Sequence, residues 1–321
     1  MEQAPLPVIA IVVPCYNEQE ALPVAAPVLL DVLNRMVAMG LASPESYVMC
    51  VDDGSRDATW AVIAQLHASD RRIKGIALAH NRGHQYALLA GLTSVMNRCD
   101  AAISIDADLQ DDPEAMIEMV RLFVLGGKEV VYGVRASRAT DTAFKRGTAH
   151  AFYTFQRIMG LETVYDHADY RLMSNRALQL LAEYGESNIF LRGIVPQIGL
   201  DTAMVTYDRR VRVAGESKYP LSKMLALSVD GITSFSARPM RWIFFAGVII
   251  FCLTFLVALY VLVSYFFGSH TSAGWSSLML SVWFLGSMIL MAIGVVGEYI
   301  GKIFVEVKHR PRFAIKSEIR D

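Results

Sequence analysis

Cysteine is scarce in this chain. Four residues among 321, Cys15, Cys50, Cys99 and Cys252, fall in separate segments with no paired spacing. A disulfide framework and a cysteine zinc site are excluded, which leaves reduced, structural thiols. Excess positive charge is missing too: 30 Lys and Arg stand against 31 Asp and Glu. Nucleic acid is therefore excluded as the main partner, because no surplus exists to neutralise its phosphates. Neither a Gly-x-Gly-x-x-Gly turn nor a Walker-type loop occurs, which disfavours dinucleotide dehydrogenases and P-loop NTPases. His84, His150 and His167 match no zinc spacing and read as structural histidines. There is no internal repeat and no low-complexity segment. No cleavable signal peptide precedes the first apolar run, so the N-terminal portion is expected to stay in the cytoplasm.

What the chain does have is apolar content: 54% hydrophobic residues and a mean hydropathy of +0.35. The excess is concentrated in two uncharged runs, Trp242 to Phe267 and Trp275 to Gly297. Each exceeds the roughly 20 residues a helix needs to span a bilayer. The connector, residues 268–274, carries no Lys or Arg. Arg238 and Arg241 lie on one flank, and Lys302, Lys308, Arg310 and Arg312 on the other. The positive-inside rule then places both ends in the cytoplasm, with Trp242, Trp275 and Tyr299 as interfacial anchors. The expectation is a multi-pass protein of the inner or plasma membrane. Leu221 to Phe235 spaces its apolar residues as an amphipathic helix, which fits either a packed core or the membrane interface. The expected division is a catalytic domain over 1–215, interfacial helices over 216–240, a two-helix transmembrane hairpin over 241–300 and a cytoplasmic tail over 301–321.

Upstream of the hairpin, short β-branched runs alternate with helical patterns. Strands are expected at Val8–Pro14, Tyr47–Val51, Ile73–Leu78, Ala101–Ile105 and Val130–Val134. Helices are expected at Glu20–Met39, Thr59–His67, from Gly83 to about Met96, and at Pro113–Leu125. This alternation implies an α/β fold with a mainly parallel sheet and helices on both faces. The polar clusters fall where the strands end: Tyr16, Asn17 and Glu18; Asp52 and Asp53; Asn81 and Arg82; Asp106 and Asp108. Open α/β sheets bind ligands along that edge. Asp106-Ala107-Asp108-Leu109-Gln110 closes the fourth strand with two carboxylates and an amide. Alone, such a run is more often an acidic cap for the following helix. Beside three other polar clusters it reads as a site for a hard divalent cation, Mg²⁺ or Mn²⁺.

In this order the motifs resemble the family-2 inverting glycosyltransferases of the GT-A fold, and among them the polyprenyl-phosphate glycosyltransferases. The matching stretches are Pro14 to Glu18, Asp52 to Ser55, Asn81 to Gly83, Asp106 to Gln110, His167 to Met173 and Gly215 to Pro220. Asp230 to Ser236, Glu298 to Lys302 and Arg310-Pro311 extend the match over nearly the whole chain. Asp112 departs from it, standing where the family more often has a second proline. The resemblance implies a nucleotide-sugar pocket lined by Pro14, Tyr16, Asn17, Glu18, Asp53 and Asp106. It implies a metal held by Asp106, Asp108 and Gln110, and catalytic carboxylates at Asp169 and Asp106, with Asp169 acting either as a base or by orienting Arg171 or the sugar hydroxyls. Arg135, Arg138, Arg171 and Lys218 would contact acceptor or donor phosphate. Arg146 and Arg192 could screen the two anionic reactants, with ordinary surface charge as the alternative for each of these arginines.

The activity implied is inverting transfer of a hexose, glucose from UDP-glucose, to undecaprenyl or a similar polyprenyl phosphate. The partners are the nucleotide sugar, the polyprenyl phosphate, the bilayer and further copies of the chain, a tetramer among the options. GDP-mannose is the alternative donor. A processive polysaccharide synthase would need a Gln-x-x-Arg-Trp motif, whereas Arg238-Pro239-Met240-Arg241-Trp242 lacks the Gln. A non-catalytic sugar-nucleotide-binding scaffold would not need Asp106, Asp108, Gln110 and Asp169 intact.

Overall fold

The structure is a computed structural model. It describes residues 5–135, 167–186, 189–208 and 274–320, together with parts of 240–259. The described residues form two compact units, one comprising 5–208 with 310–320 and the other running from 240 to 309.

The first unit is built on an eight-stranded sheet. Its strands are β1 (Ile9–Cys15), β2 (Tyr47–Asp52), β3 (Ile73–Leu78), β4 (Ala101–Ser104), β5 (Val130–Arg135), β6 (His167–Ser174), β7 (Thr202–Tyr207) and β8 (Ile315–Ile319). Their spatial order is β7-β5-β6-β4-β1-β2-β3-β8. The helices are α1 (Leu22–Ala38), α2 (Thr59–Ser69), α3 (His84–Val95), α4 (Ala115–Val124), α5 (Asn175–Glu183) and α6 (Leu191–Gln197). Every residue of β1 and β2 is buried, the pattern of central strands covered on both faces. In α1 the buried residues Leu22, Ala25, Ala26, Leu29, Val32, Leu33 and Met36 recur at helical spacing and form one apolar stripe. A Cβ on Gly91 of α3 would collide with Val12 of β1 and Val51 of β2. Glycine there lets the helix backbone lie directly on the sheet.

Parallel pairing joins β1 to β2, β1 to β4, β2 to β3 and β5 to β7; the other three pairings are antiparallel. The chain leaves β1 for β2 on one side and returns to β4 on the other. A switch in strand order therefore sits at β1 and β4, and it opens a crevice at their carboxyl ends.

Beyond β5 the sequence reading gave no element of this unit: β6, β7, β8, α5 and α6 were not read from it. β6 was seen only as a motif, yet it is a strand lying antiparallel between β4 and β5. Residues 301–321 were read as a tail, yet Ile315–Ile319 closes the edge of the sheet against β3.

In the second unit, residues 242–250 are helical and α7 spans Trp275–Val307. At 33 residues, α7 is roughly 50 Å long at 1.5 Å per residue. Among the described residues one helix is long and apolar enough to cross a membrane, and its window is Phe284–Val307. The helix that carries the second apolar run continues unbroken past Glu298 and Lys302. Most of the Trp242–Phe267 run and all of Leu221–Phe235 lie outside the described residues, so a two-helix hairpin is not shown.

The packing of α3 on the sheet gives a direct test. Gly91→Ala forces Val12 and Val51 aside and should cost about 1–3 kcal/mol. Thermal unfolding in detergent should show the loss, and an unchanged midpoint would contradict this packing.

Candidate active site

The loops at the carboxyl edge brace one another. After β1 the backbone turns at Asn17, whose φ is 56°, a left-handed conformation that asparagine tolerates. The Asn17 N–H donates to Ser55 Oγ at 2.9 Å, and Asn17 Oδ1 accepts from the Arg56 N–H at 2.9 Å. The Glu18 N–H donates to Thr59 Oγ1 at 2.9 Å. Asp52 Oδ1 accepts from the Ser55 N–H at 3.0 Å. Asp53 reaches the next loop: its two oxygens accept the N–H groups of Arg82 and Gly83 at 2.7 and 2.8 Å. Burial pushes the Asp53 carboxyl up, against those two amides. Gly54, with φ of 64°, lies so close to His80 and Asn81 that no side chain fits there.

Asp169 is the centre of the site. Ser104 of β4 pairs with Arg171 of β6, and continuing that antiparallel register sets Asp169 opposite Asp106. Residues two apart on a strand share a face, so Arg171 stands beside Asp169. Its Nη2 donates to Asp169 Oδ1 at 2.6 Å. Arg192 of α6 adds Nε to Oδ1 at 3.2 Å and Nη2 to Oδ2 at 3.1 Å. Gln85 Nε2 donates to Oδ2 at 3.1 Å. His84 Nε2 lies 3.6 Å from Asp169 Oδ2 and 3.6 Å from Asp106 Oδ1. The Asp169 side chain is 7% exposed and that of Arg171 2%. Burial opposes the Asp169 charge, but His84, Arg192 and Arg171 outweigh it and hold the carboxyl well below the usual carboxylate range. Burial likewise opposes an imidazolium at His84, yet Asp169 and Asp106 raise it above its ordinary value.

The same groups fasten α6. Gln85 Oε1 accepts the Leu191 N–H at 3.1 Å, and Arg171 Nη1 donates to the Leu191 carbonyl at 3.2 Å. The first turn of α6, which carries Arg192, is thereby fixed to α3 and β6.

The segment after β4 is held from the opposite side. Leu109 has a φ of 48°, a region costly for a branched side chain. Asp108 Oδ1 accepts the Gln110 N–H at 3.2 Å. Asp111 is buried, and its Oδ1 takes Arg135 Nη2 at 3.0 Å and the Tyr207 hydroxyl at 2.6 Å. The Tyr170 hydroxyl donates to the Asp112 carbonyl at 2.8 Å. β5, β6 and β7 thus all grip this turn. Asp106 itself is 48% exposed. The protein packed around it pushes its carboxyl up, His84 opposes, and Asp169, Asp111 and Asp108 push it further.

A family model described as glycosyl transferase family 2 matches residues 10–182. The chain belongs to glycosyl transferase family 2. An uncharacterised glycosyltransferase of Bacillus subtilis (strain 168), YkoT, is 49% identical over 316 residues, covering 98% of this chain and 92% of its own length. The bactoprenol glucosyl transferase of Shigella phage SfV is 35% identical over 311 residues, covering 97% of this chain and 98% of its own length. Among solved structures, mannosyl-3-phosphoglycerate synthase from Rubrobacter xylanophilus is 15% identical with a TM-score of 0.48, over 74% of each chain.

In this family-2 chain, Pro14, Tyr16, Asn17, Glu18, Asp53, Asp106, Asp108, Gln110 and Asp169 all lie on the carboxyl edge or directly beyond it. Two of the expected phosphate contacts have carboxylate partners in the structure. Arg171 is enclosed behind Asp169, and Arg135 is bonded to Asp111. Arg192, 43% exposed, is the arginine at Asp169 that also meets solvent. Arg138, Arg146, His150 and Lys218 lie outside the described residues. The sequence reading missed His84, set aside for want of a zinc spacing, and it missed Gln85. Both directly follow the Asn81-Arg82-Gly83 motif, and that position was the available signal.

The Arg171–Asp169 pair yields a prediction. Arg171→Met leaves a buried carboxylate without its shortest partner and should cost about 3–5 kcal/mol at neutral pH. Asp169 is depressed in the folded state, so its stabilisation is present above the unfolded carboxylate value and lost as pH falls. The gap between wild type and variant in unfolding experiments should narrow below about pH 4. A gap that ignores pH would contradict the pairing.

Proposed function

We propose that this protein transfers glucose, with UDP-glucose as donor, to a polyprenyl phosphate with inversion at the anomeric carbon. One observation carries the reading. In a family-2 chain, the strand register sets a half-exposed Asp106 opposite a fully clamped Asp169, with His84 between them. The acceptor follows from likeness to a protein named for glucosyl transfer to bactoprenol, a likeness that extends over 97% of this chain. The apolar helix α7 supports a lipid-borne substrate.

The residues present fit a divalent cation. Asp106, Asp108 and Gln110 offer an all-oxygen donor set suited to Mg²⁺ or Mn²⁺. The carboxylates crowding Asp106 make the local excess of negative charge that such an ion relieves. Among the described residues no three His, Cys, Asp or Glu side chains form a ready-made metal group, so donor diphosphate oxygens would complete the coordination. When bound, the ion supplies charge stabilisation to the departing diphosphate.

In the reaction, an acceptor phosphate oxygen bonds to the anomeric carbon while the bond from that carbon to the diphosphate breaks, its electron pair leaving with the diphosphate. A phosphate monoester has a second pKa of about 6, so at neutral pH the nucleophile needs no base. Asp169 is therefore assigned as an anchor: it is weakly basic and already accepts hydrogen bonds at both oxygens. It holds Arg192, whose positive charge offsets the repulsion between two anionic substrates, and it holds His84 beside it. In this reading the first unit works in the cytoplasm. α7 and the Trp242–Phe267 run insert in the plasma membrane, 216–240 lies at its surface, and copies of the chain associate as a homo-oligomer.

The test uses purified full-length chain, undecaprenyl phosphate, Mg²⁺ or Mn²⁺ and a panel of nucleotide sugars. UDP-glucose should give an acid-labile lipid-linked sugar phosphate, and Asp108→Ala should lower turnover at least about 100-fold. No lipid product from any donor, or wild-type turnover in Asp108→Ala, would overturn the proposal.

A further inference from the structure

The last strand reaches the edge of the site. β8 pairs with β3 from Gly75 opposite Ile319 to Leu78 opposite Ile315. The pairing continues when the Ala79 N–H donates to the Ala314 carbonyl at 2.8 Å. Beyond it, the Arg82 guanidinium forks across two backbone carbonyls. Its Nε donates to Arg312 and its Nη2 to Pro311, each at 2.9 Å. Arg312 in turn donates to the Tyr184 carbonyl, just past α5. From the other side, Asp53 accepts the N–H groups of Arg82 and Gly83 at 2.7 and 2.8 Å. Gly83, with φ of 92°, leads directly into α3 and His84.

The β3–α3 connection is therefore gripped between a donor-edge carboxylate and the C-terminal segment. Covering an exposed sheet edge would by itself explain the β8 ladder. It does not explain the fork, which lies beyond the last ladder pair. Charge-assisted bonds from one planar guanidinium fix both its position and its plane. A shift of the connection would move Asp53, which grips it through two backbone amides, whereas His84 stays tied to Asp169 and Asp106.

We infer that Arg82 is a positioning residue and that residues 310–319 form a strap that sets the β3–α3 connection for donor binding. The inference rests on the glycosyl-transfer reading for its kinetic consequence. Its structural content, the strap itself, stands apart from that reading.

The test compares Arg82→Ala, Arg82→Lys, a truncation after His309, and Arg82→Ala combined with the truncation. Arg82→Ala should raise the KM for the nucleotide sugar on the order of tenfold, the loss expected for two charge-assisted hydrogen bonds acting at a distance. The KM for polyprenyl phosphate should stay within about twofold, because the fork is gone but the Asp169 cluster is intact. Arg82→Lys should recover little, since an ammonium cannot span both carbonyls in the same plane. The truncation should match Arg82→Ala, and the combined variant should add nothing further. Hydrogen exchange over residues 79–84 should quicken in Arg82→Ala, a readout independent of any activity. Should the truncated chain fail to fold, the exchange and KM data for Arg82→Ala decide alone. An unchanged donor KM, equal shifts in both KM values, additive losses or unchanged exchange would each overturn the strap. A wild-type chain without transfer would overturn the function while leaving the exchange result to judge the strap.

Discussion

The site depends on a buried negative charge. Asp169 lies among β4, β6, α3 and α6, where an unpaired carboxylate would be intolerable. Its stability there requires Arg171 behind it, Arg192 and His84 in front, and Gln85 at its side. Those requirements decide much of the local architecture. Arg171 and Gln85 also bind the Leu191 backbone, so neutralising Asp169 and docking α6 are one event. A carboxylate held this way is a poor base but a rigid organiser, which suits a reaction whose nucleophile arrives already ionised.

The second constraint is topological. Because strand order switches at β1 and β4, the loops after β1, β2, β3 and β4 all open onto one crevice. Each loop is then fixed by its neighbour: Asn17 by Ser55, the Arg82 and Gly83 amides by Asp53, and the Asp108 turn through Asp111 by Arg135 and Tyr207. The result is an acidic, oxygen-lined half of the crevice at Asp106 and a cationic half at Arg192 and His84. Under the proposed function a donor diphosphate with its metal would take the first half and an acceptor phosphate the second. The edge strand β8 extends the same bracing to the chain's last segment.

Much of this could be read from the residues. Strands β1 to β5 announce themselves as β-branched apolar runs, and the polar residues after them mark the edge where ligands bind. The carboxylates at Asp106, Asp108 and Asp169 were all legible. What could not be read was pairing between distant segments. β6 carries Asp169 and Arg171 in its middle, so it looks like a polar motif until β4 and β5 cover it. β8 reads Ile315-Lys316-Ser317-Glu318-Ile319, too short and too charged to signal a strand without β3 beside it. His84 was dismissed because spacing rules look along the chain, whereas its two partners come from beyond β4 and from β6. Arg171 was expected at a phosphate. A role for Asp169 in orienting Arg171 was the other reading open from the residues, and the two side chains do pair directly.

The most direct test of the account is the anomeric configuration of the lipid product, read by proton and phosphorus NMR after reaction with UDP-glucose, an α-linked donor. The account predicts a β-glucosyl unit bonded through its anomeric carbon to the polyprenyl phosphate. An α-linked product, or glucose released to water with the polyprenyl phosphate unchanged, would contradict direct displacement by a membrane-borne phosphate.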